Sequence, residues 1–418
     1  MNKLINTTST PFIKCQACGS KNLASILFVG YIPPVNTMPE IGMVPEEQPS
    51  YPLEMLRCND CTLVQIGLDV DPEVLFPPTY PYLSASTKIL RENFAQLEKE
   101  ASETIGLCKN DLVVDFGSND GTLLGNFKDA GYKVLGIEPT QAGDKARDKG
   151  INTLTAYFGL ETSKIVMSEY GAAKLITAAN VFAHITNVDG VIEGILGMLD
   201  KDGVFISENH YLGGLVETLQ YDTIYHEHLR YYSVGSLKKL FLRHGMEIFK
   251  VTKIPTHGGS IRVYACRKGQ NPIDLSVNTI LDEEDKKGLT DGSILSEFHD
   301  KVVQSKLDLM KLLSDIKRDG AKIYGIGAPS RASTLINYVG LDADILDCVM
   351  EISSSRKLNK YIPGTRIPVL DEAKLFEAQP EYALLLSWHI TDELVSNLRK
   401  KGYKGKFISP LPTPRIIS

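Results

Sequence analysis

The 418-residue chain has no run of 18 or more apolar residues, so no membrane-spanning helix is expected. It has no excess of positive charge: 45 Lys and Arg stand against 51 Asp and Glu, for a net charge of -6. Nucleic-acid binding, which needs a basic track for the phosphates, is therefore not expected. The first residues, MNKLINTTSTPF, lack the apolar stretch of a secretory leader, and a cytoplasmic location is the expectation. Cysteines are few and odd in number, at 15, 18, 58, 61, 108, 266 and 348, which argues against a disulfide framework. No repeat of 20–50 residues and no low-complexity tract occurs. A complete G-x-G-x-x-G fingerprint is also missing, which counts against a dinucleotide enzyme.

What is present is an ordinary soluble composition, 43% hydrophobic and 23% charged, long enough for two or three domains. Residues 1–72 read as a strand-poor, Pro-rich segment around two cysteine pairs. Residues 73–255 open with an aromatic loop, FPPTYPYLSAST, and a helix over Arg91–Glu103. Strands then alternate with helix-length segments at Leu112–Phe116, Lys133–Ile137, Lys174–Ala178 and Gly203–Glu208. That rhythm predicts a parallel sheet. Residues 256–418 begin with a strand over Gly258–Cys266. A long amphipathic helix follows, with core positions Leu295, Phe298, Val302, Leu309, Leu312 and Ile316. A second alternation has strands at Ile323–Gly327, Ile345–Met350, Tyr382–Trp388 and Phe407–Ser409.

Cys15-x-x-Cys18 and Cys58-x-x-Cys61 have the spacing at which two tight turns bring four thiolates to one ion. Zinc accepts such a set tetrahedrally, and four thiolates close its shell, so the metal is expected to be structural. Gly19 after the first pair suits a turn that needs positive φ.

The loop VVDFGSNDG over residues 113–121 follows a strand and precedes a helix. Gly117 and Gly121 let a ligand approach the backbone closely. Glu138, at the end of the next strand and followed by Pro139, is placed to bind ribose hydroxyls. The acidic Asp115 and Asp120 beside Ser118 and Asn119 suit a sulfonium and an amino group better than phosphates. S-adenosylmethionine is the expected cofactor. Ala179, Asn180 and His184 are expected to close over it, with Tyr157 and Phe158 as flanks for the adenine or as plain core.

Residues 225–232 concentrate Tyr225, His226, Glu227, His228, Tyr231 and Tyr232. Helical spacing puts Tyr225 and His228 on one face; extended spacing pairs Tyr225 with Glu227. Either arrangement offers a base, a carboxylate and a phenol. Metal binding by His226, Glu227 and His228 is disfavoured, because ligating histidines usually stand at i, i+4.

In order along nearly the whole chain, the two C-x-x-C pairs, YPYLSAST, VVDFGSNDGTLL, GIEPT, YHEH, HGGSIRVYA, YGIGAPSRASTLINY and PGTRIPV resemble the sugar C-methyltransferases of deoxysugar biosynthesis. YHEH followed by HGGS is the most specific part. The resemblance implies an α/β protein in three parts: an N-terminal zinc-binding module, a central class I Rossmann-like methyltransferase domain and a C-terminal Rossmann-like domain without a dinucleotide. It implies methylation at C-3 of a nucleotide-diphosphate-linked 4-keto sugar, such as a dTDP sugar, bound between the last two domains. It makes His228 the base, with Glu227, Tyr225 and either Tyr80 or Tyr82 around the sugar and His226 assisting. On the substrate side, His257, Gly258, Gly259 and Ser260 offer backbone amides. Ser330, Arg331, Glu351 and Lys360 offer groups for phosphates and hydroxyls. Methylation on oxygen or nitrogen, or a nicotinamide-dependent oxidoreductase, are the competing readings.

Overall fold

The structure is a computed structural model that describes residues 9–44, 47–76 and 88–418. The first part contains β1 (Thr10–Pro11), β2 (Leu23–Ile32), β3 (Tyr51–Cys58), β4 (Val64–Ile66) and β5 (Leu68–Asp69). The expectation of a strand-poor segment is thus corrected. β2 and β3 pair antiparallel, but register shifts between Ser25 and Leu27 and between Phe28 and Gly30 interrupt the ladder. Such bulges break the period-2 alternation by which a strand is recognised in sequence.

The middle part contains β6 (Leu112–Phe116), β7 (Lys133–Ile137), β8 (Thr153–Leu154), β9 (Ala173–Ala179), β10 (Leu199–His210), β11 (Arg230–Tyr231), β12 (Met246–Ile254) and β13 (Ser260–Arg267). Its seven-stranded sheet has the order β12-β13-β10-β9-β6-β7-β8. β6 to β10 run parallel, and β13 pairs antiparallel with β10 and with β12. The hairpin of β12 and β13 straddles residue 255, so this sheet extends past the boundary expected there. Every residue of β6 is buried, because helices cover both faces. Val113 packs with Phe94 and Leu97 of the helix Lys88–Ile105. Val114 and Phe116 face the opposite layer with Ile192 and Phe241.

The last part contains β14 (Ile323–Ile326), β15 (Cys348–Glu351), β16 (Lys360–Tyr361), β17 (Pro368–Asp371), β18 (Tyr382–Leu385), β19 (Lys406–Ser409) and β20 (Arg415–Ile417). Its order is β16-β17-β15-β14-β18-β19-β20. The long helix, Ser293–Arg318, buries Leu295, Phe298, Val302, Leu309 and Ile316 as its spacing predicts. Leu313 replaces Leu312 on the buried stripe. The strand expected over Tyr382–Trp388 stops at Leu385, and Trp388–Ile390 form a 3-10 turn.

In both large sheets the strand order reverses beside a central strand, at β6 and at β14. The crevice outside such a switch point is where open α/β sheets take ligands. β11 leaves the middle part and pairs with β4, giving a first sheet of order β11-β4-β3-β2. Leu53, Met55 and Ile66 of that sheet share a core with Leu335 and Ile336 of the last part. Cys15, Cys58, Cys61 and Leu63 share one with the middle part. The first part therefore braces both others. No described helix is long and apolar enough to cross a membrane.

Candidate active site

The four sulfurs of Cys15, Cys18, Cys58 and Cys61 all lie within 4.8 Å of one another. Cys15 and Cys61 are 3.3 Å apart, and Cys18 and Cys58 3.6 Å. A tetrahedron of zinc–sulfur bonds has edges of about 3.8 Å, so the cluster fits the ion expected. Both turns have the same build. Gly19 N–H donates to the Cys15 carbonyl and Thr62 N–H to the Cys58 carbonyl, each at 2.9 Å. Gly19 and Thr62 sit at φ of 75° and 68°. A bound zinc would cross-link the two turns and supply no open position for chemistry.

The expected cofactor residues gather at the carboxyl ends of β6, β7 and β9. Gly117 N–H donates to the Ile137 carbonyl at 2.8 Å. Gly117 has φ of 67°, and a Cβ there would lie 2.6 Å from Val181 Cγ2. Asn119 and Asn180 are likewise left-handed. Glu138 accepts from the amides of Asn119 and Thr140, each at 2.9 Å, and from the Thr140 hydroxyl at 2.6 Å. Three of its roughly four lone-pair positions are filled, leaving one for a hydroxyl. Pro139 separates Glu138 from Thr140 in this turn. Asp120 caps Thr122 and pairs with Lys149 at 3.5 Å. Asp115 accepts from the Thr177 hydroxyl at 2.7 Å; burial, against that bond and with help from Glu138 and Glu208, pushes its carboxyl up to about 7. Ser118 Oγ is buried without a partner among the described residues. An orphaned hydroxyl, a glycine cradle and a cluster of carboxyl groups fit a cationic adenosyl ligand. Ala179 ends β9 at the same edge. Phe158 stacks on Phe116 at 4.3 Å and belongs to the core, while Tyr157 is exposed.

His184 follows Ala179 on the same segment, its amide donating to the Val181 carbonyl at 2.9 Å. Its ring meets the ring of His228 at 4.9 Å, edge to face. The turn at 225–228, closed by His228 N–H to the Tyr225 carbonyl at 2.9 Å, realises the helical-spacing alternative. It sets Tyr225 against His228 at 4.1 Å. His228 Nδ1 lies 2.8 Å from the Thr223 carbonyl oxygen. A carbonyl only accepts, so Nδ1 carries the proton. Burial, then His184, lowers the His228 pKa well below its usual value. The ring is thus neutral, with its lone pair on Nε2. Thr223, and not Glu227, fixes the tautomer. Glu227 is 3% exposed and accepts from Asn36 Nδ2 at 2.6 Å. Burial and the Glu227 charge raise the Tyr225 hydroxyl well above its usual value, which keeps it protonated. His226 points the other way, with Nε2 3.3 Å from the Pro52 carbonyl and its ring against Tyr51. Tyr80 and Tyr82 lie outside the described residues.

On the facing side, His257 takes φ of 56° between the flanks Thr256 and Gly258. Gly258 accepts from Gln220 Nε2 at 2.7 Å, and Gly259 from the Tyr211 amide at 3.1 Å. Ser260 is buried, and its hydroxyl donates inward to the Thr256 carbonyl. Ser330 donates to Asn36 Oδ1 at 3.2 Å. Arg331 is 7% exposed; its Nε and Nη2 make a bidentate pair with Asp222 at 2.8 and 2.7 Å, and Trp388 Nε1 donates to the same carboxylate. Glu351 accepts from the Ala328 amide at 2.8 Å. Lys360 is not at this edge: it lies on β16, the outermost strand, bridged to Glu40. Lys357 reaches the loop instead, donating to the Ala328 carbonyl at 2.7 Å.

His210, Asn36 and Gln16 are absent from the residues expected of this site. Burial, with Arg331 and its neighbours, lowers His210 and His389 to about 3, and His257 to about 4. All three are uncharged at neutral pH beside the Arg331–Asp222 pair. His210 ends β10 and His389 follows β18, and a histidine at a strand's carboxyl end is the signal that marks them. Asn36 and Gln16 carry no such signal, because their partners lie about 190 and 213 residues away.

Comparison with known proteins follows the same division. Residues 15–76 match a domain whose proposed property is zinc binding, residues 87–251 a methyltransferase domain, and residues 255–412 the C-methyltransferase C-terminal domain. The C-methyltransferase NovU of Streptomyces niveus is 31% identical over 411 residues, 98% of this chain and 97% of that protein. Among solved structures, magnesium protoporphyrin IX methyltransferase from Synechocystis PCC 6803 with bound SAM is 16% identical, with a TM-score of 0.33, over 43% of this chain and 83% of that one. An S-adenosylmethionine-dependent methyltransferase from Clostridium acetobutylicum ATCC 824 is 13% identical, with a TM-score of 0.34, over 44% and 94%.

Proposed function

We propose that this chain, which belongs to the C-methyltransferase family and is an S-adenosylmethionine-dependent enzyme, methylates C-3 of a nucleotide-linked 4-keto deoxysugar. The observation that carries the reading is the His228 ring, neutral, with Nδ1–H held by Thr223. A 4-keto group acidifies the neighbouring C–H, so an imidazole lone pair suffices to remove that proton and leave an enolate. S-adenosylmethionine, when bound, supplies an electrophilic methyl group on a sulfonium.

In this reading His228 Nε2 takes the C-3 proton. The imidazolium formed is disfavoured by burial and offset by the enolate charge beside it. Tyr225 keeps its proton and donates to the developing oxyanion, in the manner of an oxyanion hole. His184, next to the cofactor turn and against His228, lines the space between the donor and the base. Asp115, Gly117, Ser118 and Glu138 hold the adenosyl ligand. Ser330, Glu351, Lys357 and the His257 turn face the nucleotide part of the sugar. Arg331 contributes through its pair with Asp222, which fixes the edge of the cleft.

The test uses His228→Asn and a panel of nucleotide-diphosphate 4-keto sugars with methyl-labelled cofactor. Wild type is expected to give a product whose labelled methyl is bonded to carbon by NMR. The variant should bind cofactor normally by calorimetry and give no product. An O- or N-methyl product, or unchanged turnover in the variant, refutes the reading.

A further inference from the structure

Gln16 stands between the metal-ligating Cys15 and Cys18, and both ends of its carboxamide reach the catalytic loops. Nε2 donates to the Leu229 carbonyl at 3.2 Å. Oε1 accepts from Arg230 Nη1 at 2.7 Å. The opposite amide orientation would set oxygen against carbonyl and N–H against guanidinium, so both contacts fix one orientation. The Gln16 main-chain N–H also donates to Gln65 Oε1 at 2.8 Å, and Gln65 Nε2 donates to the Lys14 carbonyl at 3.2 Å. Gln65 in turn pairs with Arg230 across β4 and β11. The turn is thereby fastened to the strand that follows the YHEH segment.

Arg230 carries the link onward. It is 1% exposed, and its Nη2 donates to the carbonyls of Phe182 and Ile185. The Leu229 amide donates to the Ala183 carbonyl at 3.1 Å. Leu229 adjoins His228 and Ile185 adjoins His184. One side chain, through Leu229 directly and Arg230 at one remove, therefore holds the main chain beside both histidines whose rings meet at 4.9 Å.

We propose that Gln16 is a positioning residue for the His184–His228 pair, so that the cysteine turn, and the metal it fits, sets the geometry of the active site as well as the stability of its own module. A closed four-thiolate cluster has no chemistry of its own to offer. A glutamine inside the turn, aimed into the middle part, gives the module a second task. The inference rests on the reading of His228 as the base, but it concerns main-chain placement and can be read without any substrate.

The experiment compares zinc-loaded wild type with Gln16→Ala and Gln16→Glu, following the imidazole nitrogen resonances of His184 and His228, zinc content, cofactor affinity and turnover. Gln16→Ala should keep its zinc and its cofactor affinity. Both imidazole signals should move, and kcat should fall roughly tenfold at unchanged KM, the scale of losing a buried hydrogen bond to a charged group. Gln16→Glu keeps an acceptor for Arg230 and loses the donor to Leu229, so it should move the His228 signals and leave those of His184. Unmoved imidazole signals in both variants, or a loss of turnover that appears only with loss of zinc, overturns the proposal. Retained turnover in His228→Asn would instead remove the base reading, while the imidazole shifts would still report the positioning.

Discussion

The Thr223 carbonyl oxygen lies 2.8 Å from His228 Nδ1, and this contact decides which nitrogen can act as a base. The same ring has its pKa lowered well below the usual histidine value by burial and by His184. Protonation of His228 therefore begins only at acid pH, well under about 6.5. The kcat profile of the wild type is expected to be flat from neutrality down past that value, with its acid limb lower. The measurement is kcat against pH with saturating cofactor and sugar nucleotide. An acid limb centred near 6.5 would show that the base is an unperturbed histidine.

The buried histidines also bear on stability. Burial lowers His184 and His226 to about 4, His210 and His389 to about 3, and His228 well below its usual value. Between those values and the unfolded value of about 6.5, the unfolded chain binds protons that the native chain does not. Stability is therefore full above about 6.5 and lost as pH falls toward the folded values. Four carboxyls raised by burial work in the opposite direction, Asp115 to about 7 together with Asp69, Glu208 and Glu284, and the five histidines outnumber them. The thermal midpoint at pH 5.5 should lie below that at pH 7.5. An equal or higher midpoint at pH 5.5 would contradict the burial of these rings.

Much of this molecule is legible in its sequence. The β6 and β7 limits, the cysteine cluster and the cofactor turn follow from local patterns: a five-residue apolar run, a two-residue spacing, glycines at positive φ. What stays hidden is non-local. The bulges of β2 mask its alternation. The departure of β11 to another sheet shows in no window of residues. Arg331 reads from sequence as a phosphate ligand, because a basic residue after a glycine turn looks alike whether its partner is a ligand or Asp222, 109 residues away. Lys357 and Lys360 differ by three residues, and only the path of the loop decides which one reaches the Ala328 carbonyl.

The Arg331–Asp222 pair is nearly inaccessible, at 7% and 0% side-chain exposure. Removing one partner of such a pair leaves a buried charge without compensation, at a cost of about 3–5 kcal/mol. Arg331→Ala is therefore expected to lower the denaturant midpoint strongly even without substrate. Arg331→Lys keeps the charge, loses the bidentate geometry, and should fall between. Denaturation by urea checks both. A variant with wild-type stability and a raised KM for the sugar nucleotide would instead mark Arg331 as a substrate ligand.

Gly117 makes the most demanding local case. Its φ of 67° disfavours any side chain, and a Cβ would sit 2.6 Å from Val181 Cγ2. Gly117→Ala thus carries a backbone cost of about 1–3 kcal/mol together with a clash against the segment that leads to His184. Cofactor affinity, read by calorimetry, should drop by roughly tenfold or more, on the scale of ~1.4 kcal/mol for each factor of ten. The two costs separate in a double variant. Gly117→Ala with Val181→Ala removes the methyl groups at 2.6 and 3.1 Å but leaves the residue-181 Cβ at 2.9 Å and φ unchanged, so it should recover part of the affinity and little of the stability. Full recovery of both would mean that the backbone angle matters little and that the valine alone shapes the turn.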